Sequence, residues 1–246
     1  MRPRLGIIPD AFARPLFRGL RGTDFDLFSD SQGILAAMLR ECKLDGAFLS
    51  SIDAAKDHSG LSLVPGPAVV ARRGSESVSL IFRENLHEIK TVAADFGRTS
   101  EIVLLHLIML ERHEIKPQIV ARRGTADESL AAADAVLAVG DDAVALRDRA
   151  NRIDLIEEWE DITGAPFVHG LWFIDEEKFT TADLNHLRNG ADTPDQVQPS
   201  VLAGNPALWY SYDDRTKHAL SDFFKMAFYH GILGEVPEFS TVDSSA

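Results

Sequence analysis

One pattern constrains this chain more than any other: two stretches, far apart, carry the same kind of sequence in the same order. Asp45-Gly46-Ala47-Phe48-Leu49-Ser50-Ser51-Ile52-Asp53-Ala54 matches Asp134-Ala135-Val136-Leu137-Ala138-Val139-Gly140-Asp141-Asp142-Ala143 in kind. Residues 6–10 match residues 91–95 in the same way. Each copy is a short apolar run that ends in small, hydroxyl or acidic residues opening a helix, the pattern of a strand followed by a turn and a helix. A weak internal repeat of this type predicts two similar α/β lobes.

The rest of the chain fits between the copies. Short strands are expected at 5–8, 25–28 and 46–49, with a helix over 32–42 between the last two. Residues 61–64 and 68–71 read as two strands around a Pro65-Gly66-Pro67 turn, and 77–82 as a stronger strand. A second series follows: strands at 91–95, 118–121 and 135–139, with helices over 100–112 and 127–133. A helix at 154–163 precedes an apolar strand, 166–174, which is expected to carry the chain back and to pair with 77–82. Helices are expected at 180–189 and 216–231, a loop at 192–200 and a frayed tail from Pro237. The fold class is therefore α/β, each lobe a mostly parallel sheet flanked by helices. The first lobe is expected over 1–83 and 171–246, the second over 84–170. In such lobes ligands sit beyond the carboxyl ends of the strands. Two facing lobes bring those strand ends to one cleft.

Composition narrows the partners. Hydrophobic residues make up 45% of the chain and charged ones 26%, as in an ordinary globular protein. The net charge of −13 argues against nucleic acid and against anionic membranes. There is no stretch of about 18 apolar residues to span a membrane and no signal-peptide pattern at the N-terminus, so a cytoplasmic protein is expected. The single cysteine, Cys42, permits no internal disulfide and reads as a small buried hydrophobe.

The cleft inventory points to an anion. Asp95-Phe96-Gly97-Arg98-Thr99-Ser100 offers a glycine, a guanidinium, two hydroxyls and the free N–H groups of a helix start. The other strand ends add Asp10, Phe12, Arg14, Ser51, Ser77, Asp141 and His169. A small ligand with one or more carboxylates suits this set, and the protein is expected to act as a monomer or homodimer. No nucleophile elbow, phosphate loop or dinucleotide fingerprint is present, and nothing demands a metal or organic cofactor.

These residues resemble a known family. The Arg98-Thr99-Ser100 turn, Leu49-Ser50-Ser51-Ile52, Ser77-Val78, Val139-Gly140-Asp141, Arg14-Pro15-Leu16-Phe17 and the series from Glu158-Trp159 through Thr163-Gly164-Ala165-Pro166-Phe167-Val168 to Trp172 are similar to chorismate dehydratase of futalosine-route menaquinone biosynthesis. The resemblance runs in order over most of the chain. It implies a two-lobe fold like that of type II periplasmic binding proteins and a dicarboxylate ligand. Arg98, Thr99 and Ser100 would hold one carboxylate, with Ser51 and Ser77 near the other end. The implied reaction removes water from chorismate to give 3-(1-carboxyvinyloxy)benzoate, with a side chain or the substrate's own carboxylate as base. One departure stands out. Phe12 occupies the place of the family's catalytic Asn, and Phe cannot hydrogen-bond or move a proton. Asp10, two residues earlier, is the candidate catalytic group in its stead. Phe96-Gly97 likewise replace the family's Ser-Ser. A binder of a small carboxylate without turnover is the alternative.

Overall fold

The structure is a computed structural model that describes residues 2–20, 25–56, 60–84, 88–189 and 205–242. The first lobe opens with β1 (Arg4–Ile7), a 3-10 turn (Ala11–Ala13) and α1 (Arg14–Phe17). It continues through β2 (Asp26–Ser29), α2 (Gln32–Arg40), β3 (Gly46–Leu49), α3 (Ser51–Lys56) and β4 (Ser62–Ala71). The second lobe holds β5 (Val78–Phe82), β6 (Thr91–Ala94), α4 (Thr99–His113), β7 (Gln118–Ala121), α5 (Ala126–Leu130), β8 (Ala135–Val139), α6 (Asp141–Ala145) and β9 (Arg152–Asp154). The chain returns through α7 (Leu155–Thr163) to β10 (Phe167–Ile174), α8 (Thr181–Asn189), β11 (Leu208–Trp209), α9 (Asp214–Tyr229) and β12 (Ser240–Thr241).

The repeat is visible in the pairing. In the first lobe β1 lies between β2 and β3, all parallel, and in the second β6 lies between β7 and β8, all parallel. Around these cores the sheets are mixed. β10 pairs antiparallel with both β3 and β4, and β5 pairs antiparallel with both β8 and β9. The full orders are β11-β4-β10-β3-β1-β2, with β12 on β4, and β7-β6-β8-β5-β9. The expected pairing of 166–174 with 77–82 therefore does not form. Each of these strands, once across, is buried in the sheet of the lobe it enters, and all eight residues of β10 are buried.

Three local readings are corrected. Pro65-Gly66-Pro67 is not a turn between strands but an irregular stretch inside one strand, β4. Between the register pairs Leu63↔Phe173 and Ala68↔Leu171 the β4 chain has more residues than its partner, and Gly66 takes φ +120°. Two residues without an N–H fit a bulge, where ladder bonds are interrupted. Cys42 is exposed, with φ 54°, because α2 stops at Arg40 and the chain reverses there. The tail does not fray at Pro237: Ser240 and Thr241 pair with Ser62 and Leu63. The loop expected at 192–200 lies outside the described residues.

The core runs through both lobes. Trp172 packs edge-on against Phe17 and Phe48, and Trp159 and Phe167 meet Phe223 of α9 in the same way. Each large side chain buried so contributes roughly 1.5–3 kcal/mol. α4 is apolar nearly all round, with Val103, Leu104, Leu105, Leu107, Ile108 and Met109 buried. It is consequently a helix that packs on several sides, against α3, α7 and α9. The two crossings between lobes are fastened to each other. Arg73, on the first, pairs with Glu157 and Asp161 of α7, and its N–H donates to Glu160 Oε2 at 2.7 Å.

Candidate functional site

The strand-end turns of the two lobes meet, and the polar groups on them pair across the seam. Asp10 follows β1, and Arg98 stands at the N-cap of α4. The Arg98 guanidinium donates to both carboxylate oxygens of Asp10, with Nη1 to Oδ2 at 2.8 Å. This is the planar two-point geometry that makes such pairs strong. Burial disfavours the charged guanidinium, but the bond and charge of Asp10 outweigh it and hold Arg98 above its ordinary value.

Beside this pair, Ser100 Oγ lies 3.1 Å from Ser51 Oγ and accepts the Ile52 N–H, also at 3.1 Å. The first-turn hydroxyl of α4 thus serves the start of α3. Ser50 caps α3 by accepting the Asp53 N–H at 3.1 Å and donating to Asp53 Oδ2 at 2.8 Å. Burial pushes the Asp53 carboxyl up, against the opposing bonds from Ser50 and Thr99. Thr99 thereby also reaches across the seam.

A third set lies deeper. Ser77 Oγ is 3.0 Å from His169 Nε2, and His169 Nδ1 is 2.8 Å from Glu101 Oε1. Ser75 Oγ is 3.1 Å from Ser77 Oγ. Ser77, His169 and Glu101 are all fully buried. Burial pushes the Glu101 carboxyl up, but the bond and charge of His169, with Arg98 farther away, prevail and hold it below its ordinary value. The second oxygen, Oε2, has no hydrogen-bond partner among the described residues. The rings of Phe12 and Phe167 flank the imidazole, with centroids 4.9 and 5.0 Å away.

The structure thus brings together Asp10, Phe12, Ser51, Ser77, Arg98, Thr99, Ser100 and His169. Gly140 joins them: at φ +69° it leaves room for the Phe12 ring, which a Cβ there would meet at 3.2 Å. Asp141, the first residue of α6, is exposed, as is Arg14 in α1. Phe96 is 60% exposed and so does not line the seam. Glu101, Asp53 and Ser75 join the site without having been expected there. The usable signal for Glu101 is a lone acid directly before the apolar run of α4. An acid in a first turn ordinarily reads as a partner for the helix dipole. A cavity of about 790 Å³ lies elsewhere, on the first lobe, between Arg4, Asp45, Asp175 and Lys178, and shares only Asp53 with this set. Cavity size therefore does not mark the seam; the converging buried polar groups do.

Comparison with known proteins bears on the family and the fold. A family model described as menaquinone biosynthesis matches residues 3–192. No curated protein matches the chain. Among solved structures, a protein of Archaeoglobus fulgidus is similar over 94% of this chain and 98% of its own, at 14% identity and TM-score 0.66. The periplasmic aliphatic sulphonate binding protein of Escherichia coli covers 99% of this chain and 94% of its own, at 12% identity and TM-score 0.58. A Candida albicans protein described as having the generic periplasmic binding protein fold covers 100% and 99%, at 11% identity and TM-score 0.62. At these identities the likeness is one of fold: two α/β lobes of the periplasmic-binding-protein type. No helix among the described residues is long and apolar enough to cross a membrane.

Proposed function

The chain belongs to the menaquinone biosynthesis family, and from that premise we propose that it is a dehydratase-like lyase that removes water from chorismate, giving 3-(1-carboxyvinyloxy)benzoate. The observation that carries this reading is the convergence on one seam of Arg98, the hydroxyls of Ser51, Ser77, Thr99 and Ser100, and His169. Chorismate brings two carboxylates, a hydroxyl and a ring proton made acidic by the conjugated diene. A guanidinium fork suits one carboxylate, and serine hydroxyls suit the other polar groups. Aromatisation drives loss of the hydroxyl once the proton is removed. The protein's part is to orient the ring, complement its charge and supply a base.

Arg98 is already occupied, so ligand binding at this point is an exchange. The substrate carboxylate replaces that of Asp10 when the lobes part and close again. Asp10 is thus given the place of a stand-in for ligand rather than that of the base.

One observation favours a second reading, that of a carboxylate binder without turnover. Phe12 fills, with an inert and fully buried ring, the position where the resemblance calls for a catalytic Asn. Incubation of the pure protein with chorismate, followed by chromatography, separates the two. Appearance of the enolpyruvyl benzoate supports the lyase. Calorimetric binding with no product supports the binder, and neither signal would show that the seam is not a chorismate site.

A further inference from the structure

The cavity of about 790 Å³ on the first lobe has the size of a small-molecule site, and the seam makes no use of it. Ala36 and Leu39 of α2, Leu44 just before β3, Leu49 at its end and Leu61 give the cavity an aliphatic lining. Its charged lining is unequal. Arg4 is committed to Asp45, with Nε to Oδ2 at 3.0 Å and Nη2 to Oδ1 at 2.8 Å. The charge of Lys178 also acts on Asp45. Asp53, Asp175, Glu176 and Glu177 line the same cavity and make no ion pair with any described residue. We propose that this cavity is a second binding site, for a small organic cation with an aliphatic body, separate from the anion seat at the seam.

Three features support it. The first is the layout. The cavity follows β3 from Asp45 to Leu49, roughly 13 Å at the rise of a strand. Carboxylates stand towards both ends of this path. Asp53 is in the first turn of α3, past the end of β3. Asp175 and the 3-10 turn Glu176–Lys178 are beside its start, where the Asp175 N–H donates to Asp45 O at 2.9 Å. A chain laid on the leucines therefore brings an ammonium group to a carboxylate. This is how amphipathic chains bury their stems and keep their charged heads wet.

The second feature is that the walls are braced without a ligand. Arg4 Nη2 also donates to Cys42 O at 2.9 Å, and Ser62 Oγ donates to Glu176 Oε2 at 3.3 Å. A site already held in shape loses little free energy to ordering when it binds. The third feature is the field of the whole molecule. A net charge of −13 draws cations towards the protein. The seam must collect its anion against that field, with Arg98, whereas this cavity works with it.

The test uses the full chain. Cys42, its single cysteine, is exposed and lines the cavity, so it reports occupancy in the unaltered protein. Octylamine and octanoate, alike in length and opposite in charge, are titrated by calorimetry below the concentrations at which they form micelles. The rate of Cys42 alkylation by iodoacetamide is followed in the presence of each. Octylamine should bind, and at about ten times its dissociation constant it should slow alkylation about tenfold by mass action. Octanoate should do neither. Glu176 and Glu177 are exposed, so the double variant E176Q/E177Q keeps the fold and should bind octylamine about tenfold more weakly. Failure of octylamine to bind would overturn the proposal. So would binding that leaves Cys42 alkylation unslowed, octanoate binding as tight as that of octylamine, or an affinity unchanged in the double variant. Chorismate takes no part in these measurements, so their outcome is independent of the lyase reading.

Discussion

Residues 8–13 and 95–100 occupy matching places, each just past the central strand of its lobe's parallel core. Their contents differ. The second turn carries Gly97, Arg98, Thr99 and Ser100 and launches a helix of 15 residues, α4. The first carries Pro9, Asp10 and Phe12, runs through a 3-10 turn and launches a helix of only four, α1. One turn is therefore furnished with a cation, hydroxyls and a substantial helix N-terminus, the setting that favours an anion. The other offers an anion and a blunt apolar ring. The repeat supplied two equivalent places, and sequence divergence made them complementary to each other. In this structure the Asp10 carboxylate of the first turn takes the two-point bond that the Arg98 guanidinium of the second offers.

Changes at the two turns should consequently have different consequences. The largest effect is expected at Phe12. Phe12→Asn removes a fully buried ring from contact with His169 and Gly140 and should lower stability by about 3 kcal/mol in urea unfolding. It should also raise lyase activity, if this position limits catalysis; a stable variant without any gain would break the idea that the first turn withholds function. Next is Arg98→Ala, which should weaken chorismate binding by about 100-fold in calorimetry. It should also depress the melting temperature, because Asp10 loses its partner. An unchanged affinity would mean that the second turn is not the anion seat. The smallest effect is expected at Ser100. Ser100→Ala removes the bonds to Ser51 and the Ile52 N–H and should cost about 1 kcal/mol, seen as a small shift in the unfolding midpoint.

Much of this comparison is legible in the amino-acid sequence. The apolar runs at 6–8, 46–49, 91–94 and 135–139 have the length and flanks of buried strands, and their repetition implies two lobes. The Arg98 turn can be recognised because a glycine, a cation and hydroxyls at a helix start suit one chemistry. Which residue meets which is not legible in the same way. The Arg98–Asp10 pair joins residues 88 apart, and the His169–Glu101 pair residues 68 apart. Both depend on how the lobes close, which no local periodicity encodes. Glu101 is hidden for a related reason, since a first-turn acid serves equally well as a dipole partner in water. Pro65-Gly66-Pro67 and Cys42 mislead because local rules do not hold where tertiary pairing decides. The first sits inside a bulged strand, and the second on a chain reversal that faces solvent.

The exchange at Arg98 is the central claim, and Asp10→Asn tests it most directly. This variant keeps the size of the side chain and removes its charge, leaving the guanidinium fork to an incoming carboxylate. Calorimetric titration of chorismate into the wild type and the variant should show binding tightened by about tenfold or more in the variant. Equal or weaker binding would contradict the account, because Asp10 would then not be holding the ligand's place.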